Sequence, residues 1–326
     1  MTSGSPGRLI ILFAIPLMLG NICQQLYTMV DTMVVGQIAG VEALAALGAV
    51  DFLMWVVTGI STGLTQGFSI QLSQYYGAKD FENLRKSLAH SYRLTAFIAV
   101  GVFILSQSFA ALVLTGLHTP SNIIGMSLLY LRIIFCGIPA TAAYNMFAAA
   151  LRAMGNSKTP LTAMIIASVL NISLDILFVA GFGWGVAGAA IATVIAQSFS
   201  AVYCFLILRR IDIVHLSRAD FMSAAGMNAR LMKLGIPVVF QNIIIGVGGL
   251  VVQYVINGYG FLFVAGFTAT NKLYGLLEMA AISYGYAIVT YVGQNLGAGK
   301  IDRIRKGVRS SMLLSLLTSL IISAAM

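Results

Sequence analysis

Apolar residues dominate nine stretches of the chain, about residues 9 to 36, 43 to 75, 94 to 116, 122 to 149, 160 to 180, 185 to 208, 234 to 256, 262 to 294 and 310 to the end. Most reach the ~20 residues that a bilayer-spanning helix needs. The pattern predicts eight complete membrane helices and a ninth begun. Strands of a membrane barrel would be ~10 residues long and would alternate polar with apolar positions. These runs do neither, so the expected fold class is an all-α polytopic membrane protein.

Composition agrees with that reading, since the 326 residues are 59% hydrophobic and 9% charged with a mean hydropathy of +0.92. An ordinary soluble domain is about 25% charged. The net charge of +9 could suit nucleic acid, but the basic residues fall in alternate loops. Arg8 precedes helix 1; Lys79, Arg85, Lys86 and Arg93 follow helix 2; Arg152 and Lys158 follow helix 4. Arg209, Arg210, Arg218, Arg230 and Lys233 follow helix 6, and Lys300, Arg303, Arg305, Lys306 and Arg309 follow helix 8. Positive loops stay inside. The N-terminus and even-numbered loops are therefore expected in the cytoplasm, the chain is expected in the plasma membrane with the lipid bilayer as its partner, and no nucleic-acid partner is expected. Cys23, Cys136 and Cys204 have neither metal-ligand nor disulfide spacing, and no HExxH or Walker-type phosphate loop occurs. Neither an enzyme nor a cofactor is expected.

An internal repeat organises the chain. IPLMLGN at 15 to 21 recurs as IPVVFQN at 236 to 242, and QYYGAKDFENLRKS at 74 to 87 recurs as QNLGAGKIDRIRKG at 294 to 307, at offsets of 221 and 220. If helices 7 to 9 repeat helices 1 to 3, each unit has six helices and the two units are parallel in the membrane, as in transporters built from parallel repeats. The expected division is an N-lobe over 1–208, a cytoplasmic linker over 209–229 and a partial C-lobe over 230–326. On the same arithmetic the sequence reads as a piece of a twelve-helix chain of about 430 to 450 residues, without the rest of helix 9 and helices 10 to 12.

Acids inside membrane helices cost ~2.5 to 3.5 kcal/mol each on insertion scales, which makes each a functional hypothesis. Asp31, Asp175 and Glu278 are such residues. Asn171 and Asp175 are four apart and share a helix face. The hairpin between helices 5 and 6 turns near Trp184, nine residues after Asp175 and nine before Thr193, which sets both ~13 Å from the turn. Asp31 precedes the Gly36 to Gly40 turn by a comparable depth. Two carboxylates, an amide and a hydroxyl at one level offer hard oxygen ligands for Na+ or a shared proton. The alternative readings are an interfacial Asp31 and a structural contact between Asn171 and Asp175. Glu278 shares its helix face with Asn271 and Tyr274, Lys272 lies about 120° away on the helical wheel, and Asp51 reads as interfacial. Arg132 could pair with an acid or line a cavity.

These residues sit in recognisable motifs. YTMVDTMVVGQIAGVEALAALG at 27 to 48, LRAMGNSKTP at 151 to 160, NISLDILF at 171 to 178 and GWGVAGAAIATVIAQ at 183 to 197 resemble the MATE (multidrug and toxic compound extrusion) transporters, in the DinF-like branch. The resemblance implies a two-lobe helix bundle around a central cavity, acting as a monomer that exports cationic or amphipathic small molecules in exchange for H+ or Na+. It implies a cation-coupling site at Asp31, Asn171, Asp175 and Thr193, the metal ligands if the ion is Na+. It also implies a substrate cavity lined by Gln24, Tyr27, Asn145, Met164 and Ser168, to which Glu278 is added as an intramembrane acid. The repeat sets Val252 opposite Asp31, so the helix-7 glutamate of the NorM branch is absent. The alternative function is a flippase for lipids or polysaccharide precursors in the same superfamily.

Overall fold

The computed structural model describes residues 1–222 and 226–325; the side chains of residues 272–274, 276, 277, 323 and 325 lie outside the description. Eleven α-helices follow one another among the described residues: α1 Pro6–Ile38, α2 Val41–Gly48, α3 Asp51–Ala78, α4 Phe81–Gly116, α5 Ile124–Cys136, α6 Ile138–Ala153, α7 Lys158–Asp175, α8 Gly185–Leu208, α9 Met227–Asn257, α10 Phe261–Gly297 and α11 Ile301–Ala325. Each predicted apolar run lies on one helix or on two in succession. The run at 43 to 75 becomes α2 and α3, one apolar unit from Val41 to Ala78 with a break at Ala49 and Val50. The run at 122 to 149 becomes α5 and α6, bent by 48°. Pro139 opens α6 and has no N–H to donate to the Phe135 carbonyl, which is the usual cause of such a kink.

The number of spans differs from the expected eight and a part. By length and apolar composition six helices of the described residues can cross a bilayer, and the bent pair makes a seventh. α10 carries Lys272 and Glu278 and contributes only Phe261–Asn271 as an apolar stretch. α11 begins at Ile301 rather than near 310, because Asp302, Arg303, Arg305, Lys306 and Arg309 occupy its first turns. The expectations for Lys272 and Tyr274 concern side chains outside the description.

Large apolar side chains face outward on the helices, among them Phe97, Leu112, Val169, Ile244 and Leu313. A bilayer as solvent inverts the usual rule and lets them stay there. The interior is bound by small residues that bring backbones together: α3 and α9 run side by side so tightly that a Cβ on Gly67 would collide with the backbone of Gly235.

The repeat is visible in the backbone. Gly40 (φ 94°) and Gly260 (φ 85°) open α2 and α10. Lys79 (φ 59°) and Gly299 (φ 72°) follow the ends of α3 and α10. Pro16 and Pro237 lie inside α1 and α9. Near the loops richest in basic residues the two copies meet: a Cβ on Gly77 would strike the Gln294 backbone, and one on the equivalent Gly297 would strike the Gln74 backbone. Gln294 Nε2 also donates to the Ala153 carbonyl at 2.8 Å, joining α10 to the end of α6. This basic end of the bundle is therefore closed.

The connection between α8 and α9 is strapped to α4. Asp220 accepts from the Ser217 N–H (2.7 Å) and hydroxyl (2.8 Å) and lies 3.9 Å from Arg85. His90 donates from Nε2 to the Met222 carbonyl at 3.1 Å.

Candidate functional site

α1 buries Tyr27, Asp31 and Val35, four residues apart and so on one helical face. That face meets α3, α6, α8 and α10 around a cavity of about 330 Å³, within the ~300 to 1,000 Å³ usual for small-molecule sites. Asp31 and Thr193 line it, together with Gln24, Tyr27 and Asn145. Gln197 Nε2 donates to the Tyr27 hydroxyl at 3.1 Å, and Asn145 Nδ2 to Thr62 Oγ1 at 3.2 Å. These bonds tie α8 to α1 and α6 to α3.

Asn171 and Asp175 lie behind that wall, each fully buried. Asn171 Nδ2 donates to Thr193 Oγ1 at 3.4 Å. The level inferred from counting residues thus brings α7 and α8 together, with Asn171 rather than Asp175 directly beside Thr193. One reason is the turn of π-helix over Ile176–Gly181 that directly follows Asp175, since a wider turn advances less per residue. Such turns recur at functional sites. Asp31 is close enough to Asp175 for the two carboxyl groups to act on each other.

Acceptor oxygens accumulate here. Among the described residues Asn171 Oδ1, both Asp175 oxygens and Gln197 Oε1 accept no hydrogen bond. Leaving a buried acceptor unpaired costs ~1 to 3 kcal/mol, and a hard cation or a proton removes that cost. The donor set of carboxylate, amide and hydroxyl oxygens suits a hard cation or a proton.

Three expected positions lie away from this cavity. Met164 and Ser168 do not line the cavity: Met164 is buried in the core, and Ser168 Oγ donates to the Met164 carbonyl at 2.7 Å on the side of α7 that packs on α1. Glu278 lines a second cavity of about 450 Å³ with Trp55, Gln66 and Asn242. The two cavities share Thr58, Thr62 and Tyr286 as a common wall. Arg132 is exposed on α5 and lines neither. Asp51, read as interfacial, lines the first cavity, and so does Arg152, read as a loop charge. Sequence reasoning missed Thr58 and Thr62 as well, although Thr58, Thr62 and Gln66 repeat at four-residue spacing as a polar stripe in an apolar run.

The MatE family model matches residues 16–177 and 237–326. The chain belongs to the MatE family. Its two matched segments begin at Pro16 and Pro237, the prolines that the repeat makes equivalent. MatE proteins are transporters, and this chain is a multi-span membrane transporter rather than an enzyme. It is 31% identical over 303 residues to the probable multidrug resistance protein YpnP of Bacillus subtilis (strain 168), covering 93% of this chain and 68% of that protein. Its fold is similar to that of a MOP superfamily transporter from Pyrococcus furiosus Vc1, described by a reverse polarity of binding pocket that suggests a different function, with TM-score 0.90 and 23% identity over 98% of this chain and 72% of that one. It is also similar to a multidrug resistance MATE family transporter of the MOP superfamily in an outward-facing conformation, with TM-score 0.89 and 23% identity over 98% and 72% of the two chains. The chain thus spans 68% to 72% of the length of these proteins.

Proposed function

We propose that this MatE chain carries the transport path of an antiporter that exports cationic or amphipathic small molecules in exchange for H+ or Na+. The observation that carries the reading is the drug-sized cavity walled by Asp31 and Thr193, directly in front of the unpaired buried oxygens of Asn171 and Asp175. The multidrug roles in the names of its relatives support the same substrate class. Closure at the basic end, which the positive-inside rule assigns to the cytoplasm, supports reading this as an outward-facing state of an alternating-access cycle. A cation entering the Asp31 and Asp175 site then biases the lobe between states of different substrate affinity. One charge moving down ~100 mV supplies ~2.3 kcal/mol, and a tenfold ion gradient adds ~1.4 kcal/mol, enough for a substrate gradient of a few hundred-fold.

In proteoliposomes holding the full-length protein and loaded with a cationic dye, Asp31→Asn and Asp175→Asn should each abolish ion-driven transport while the protein still inserts, because loss of an intramembrane charge lowers the insertion cost. The double variant should lose little more than either single one if the acids form one coupled site. Running separate pH and Na+ gradients identifies the ion. Transport at the unmutated rate by either variant removes that carboxylate from coupling. A flippase for anionic lipid precursors is the second reading, favoured by Arg152 in the cavity. Only one basic residue lines either cavity among the described residues, few for a polyanionic headgroup.

A further inference from the structure

Arg152 differs from the other basic residues of the closed end. It is half-buried, it lines the same cavity as Asp31 and Asp51, and its guanidinium stands 4.7 Å over the ring of Tyr286. Arg303 also stands over a ring, 6.0 Å from the centre of Tyr291, but its N–H groups are spent on Asn295 Oδ1 and on the Met1 and Gly4 carbonyls. Among the described residues Arg152 donates to no acceptor within 3.5 Å and has no carboxylate within 4.0 Å. A guanidinium held over a ring face keeps its five in-plane donors available, in the fork geometry that matches a carboxylate. A charge kept in a transporter's interior without a hydrogen-bonding or ionic partner is a functional feature by default.

The cavity is therefore bipolar. Thr141 and Arg152 line it from eleven residues apart on α6, ~16 Å of helical rise. Asp31 and Asp51 stand toward the opposite end of α1 and at the start of α3. A simple cation is attracted by the acids and repelled by the arginine. A molecule carrying both charges, laid along the cavity, is attracted at both ends.

We propose that Arg152 recognises a carboxylate on the substrate, with Tyr286 as its positioning residue, and that the favoured substrates are organic zwitterions rather than simple cations. The inference rests on the export reading and specifies its substrate class. The probe is a matched pair of dyes: a rhodamine zwitterion with a free carboxylate, and its methyl ester, which is a cation only. Binding of each to the protein in nanodiscs is measured by fluorescence anisotropy. The unmutated protein should bind the acid more tightly than the ester. Arg152→Gln should weaken the acid and tighten the ester, because it removes an attraction for one and a repulsion for the other, and the ratio of the two Kd values should move by about tenfold or more.

Parallel weakening of both dyes would show that the arginine only holds α6 against α10, and would overturn the proposal; so would an unchanged ratio. If Arg152→Gln does not give well-behaved protein, Arg152→Lys keeps the charge but loses the fork. It should weaken the acid several-fold and leave the ester no tighter, and equal effects on both dyes would again overturn the proposal. Energised transport of the ester by the full-length unmutated protein tests the export reading separately. Its absence would overturn that reading and the substrate assignment with it, even with the binding contrast intact.

Discussion

A buried carboxylate persists only where something offsets its desolvation, and Asp175 and Asp220 meet that demand differently. Asp175 lies inside the membrane with both oxygens unpaired among the described residues, which is the condition for a visiting ion. Asp220 lies in the connection before α9. Burial pushes its carboxyl up, but the Ser217 N–H and hydroxyl and the Arg85 and Lys86 charges outweigh burial and hold it below the usual carboxylate range. A depressed pKa in the folded state means stability that is present above the unfolded value of ~3.9 and lost as pH falls through the folded value. Asp220→Ala should lower stability in detergent by about 1 kcal/mol at pH 7, and the difference should fade as pH falls through the depressed folded value; thermal melts across pH measure it. Val252, opposite Asp31 in the repeat, is exposed on α9. Val252→Ala should leave dye transport unchanged, and a large loss would place part of the ion site in the second repeat.

At the scale of elements, the two repeats touch where their equivalent glycines remove the Cβ. Gly77 and Gly297 each face the backbone of the other copy's glutamine, so any side chain there must push α3 and α10 apart. Gly297→Val should cost about 1 to 3 kcal/mol in detergent melts by overpacking. Gly101 lies inside α4, and a Cβ placed on it would meet no described atom within 4 Å. Gly101→Ala should instead stabilise by up to about 1 kcal/mol through helix propensity. Opposite signs for two glycine substitutions would separate close approach from backbone freedom.

At the scale of the whole molecule, the alternation of basic loops with loops free of Lys and Arg predicts the orientation. Cysteine labelling in a background lacking Cys23, Cys136 and Cys204 tests it. Ala39→Cys and Phe182→Cys, both exposed beside the turns at Gly40 and Gly183, should react with a membrane-impermeant maleimide on intact cells. Glu82→Cys and Arg305→Cys, exposed at the basic end, should react only after permeabilisation. The neighbours replace Gly40 and Gly183 themselves because a Cβ is strained at their positive φ.

Periodicity, charge and repetition are local or one-dimensional properties, and they were legible in the sequence: the helical class, the turns at Gly40 and Gly183, the repeat, and Asp31, Asn171, Asp175 and Thr193 as one group. Residue counting reached that group because depth along a straight helix is arithmetic. It does not give rotation about the helix axis or proximity between distant elements, which depend on how eleven helices pack. Tertiary structure alone therefore decided that Asp51 and Arg152 enter the cavity, that Met164 and Ser168 stand behind it, that Glu278 belongs to the adjoining cavity, and that α5 and α6 bend at Gly137. Arg152 shows the reason plainly: along the chain it is one more positive charge after a membrane helix, and only the approach of α10, which sets Tyr286 beneath it, makes it part of the site.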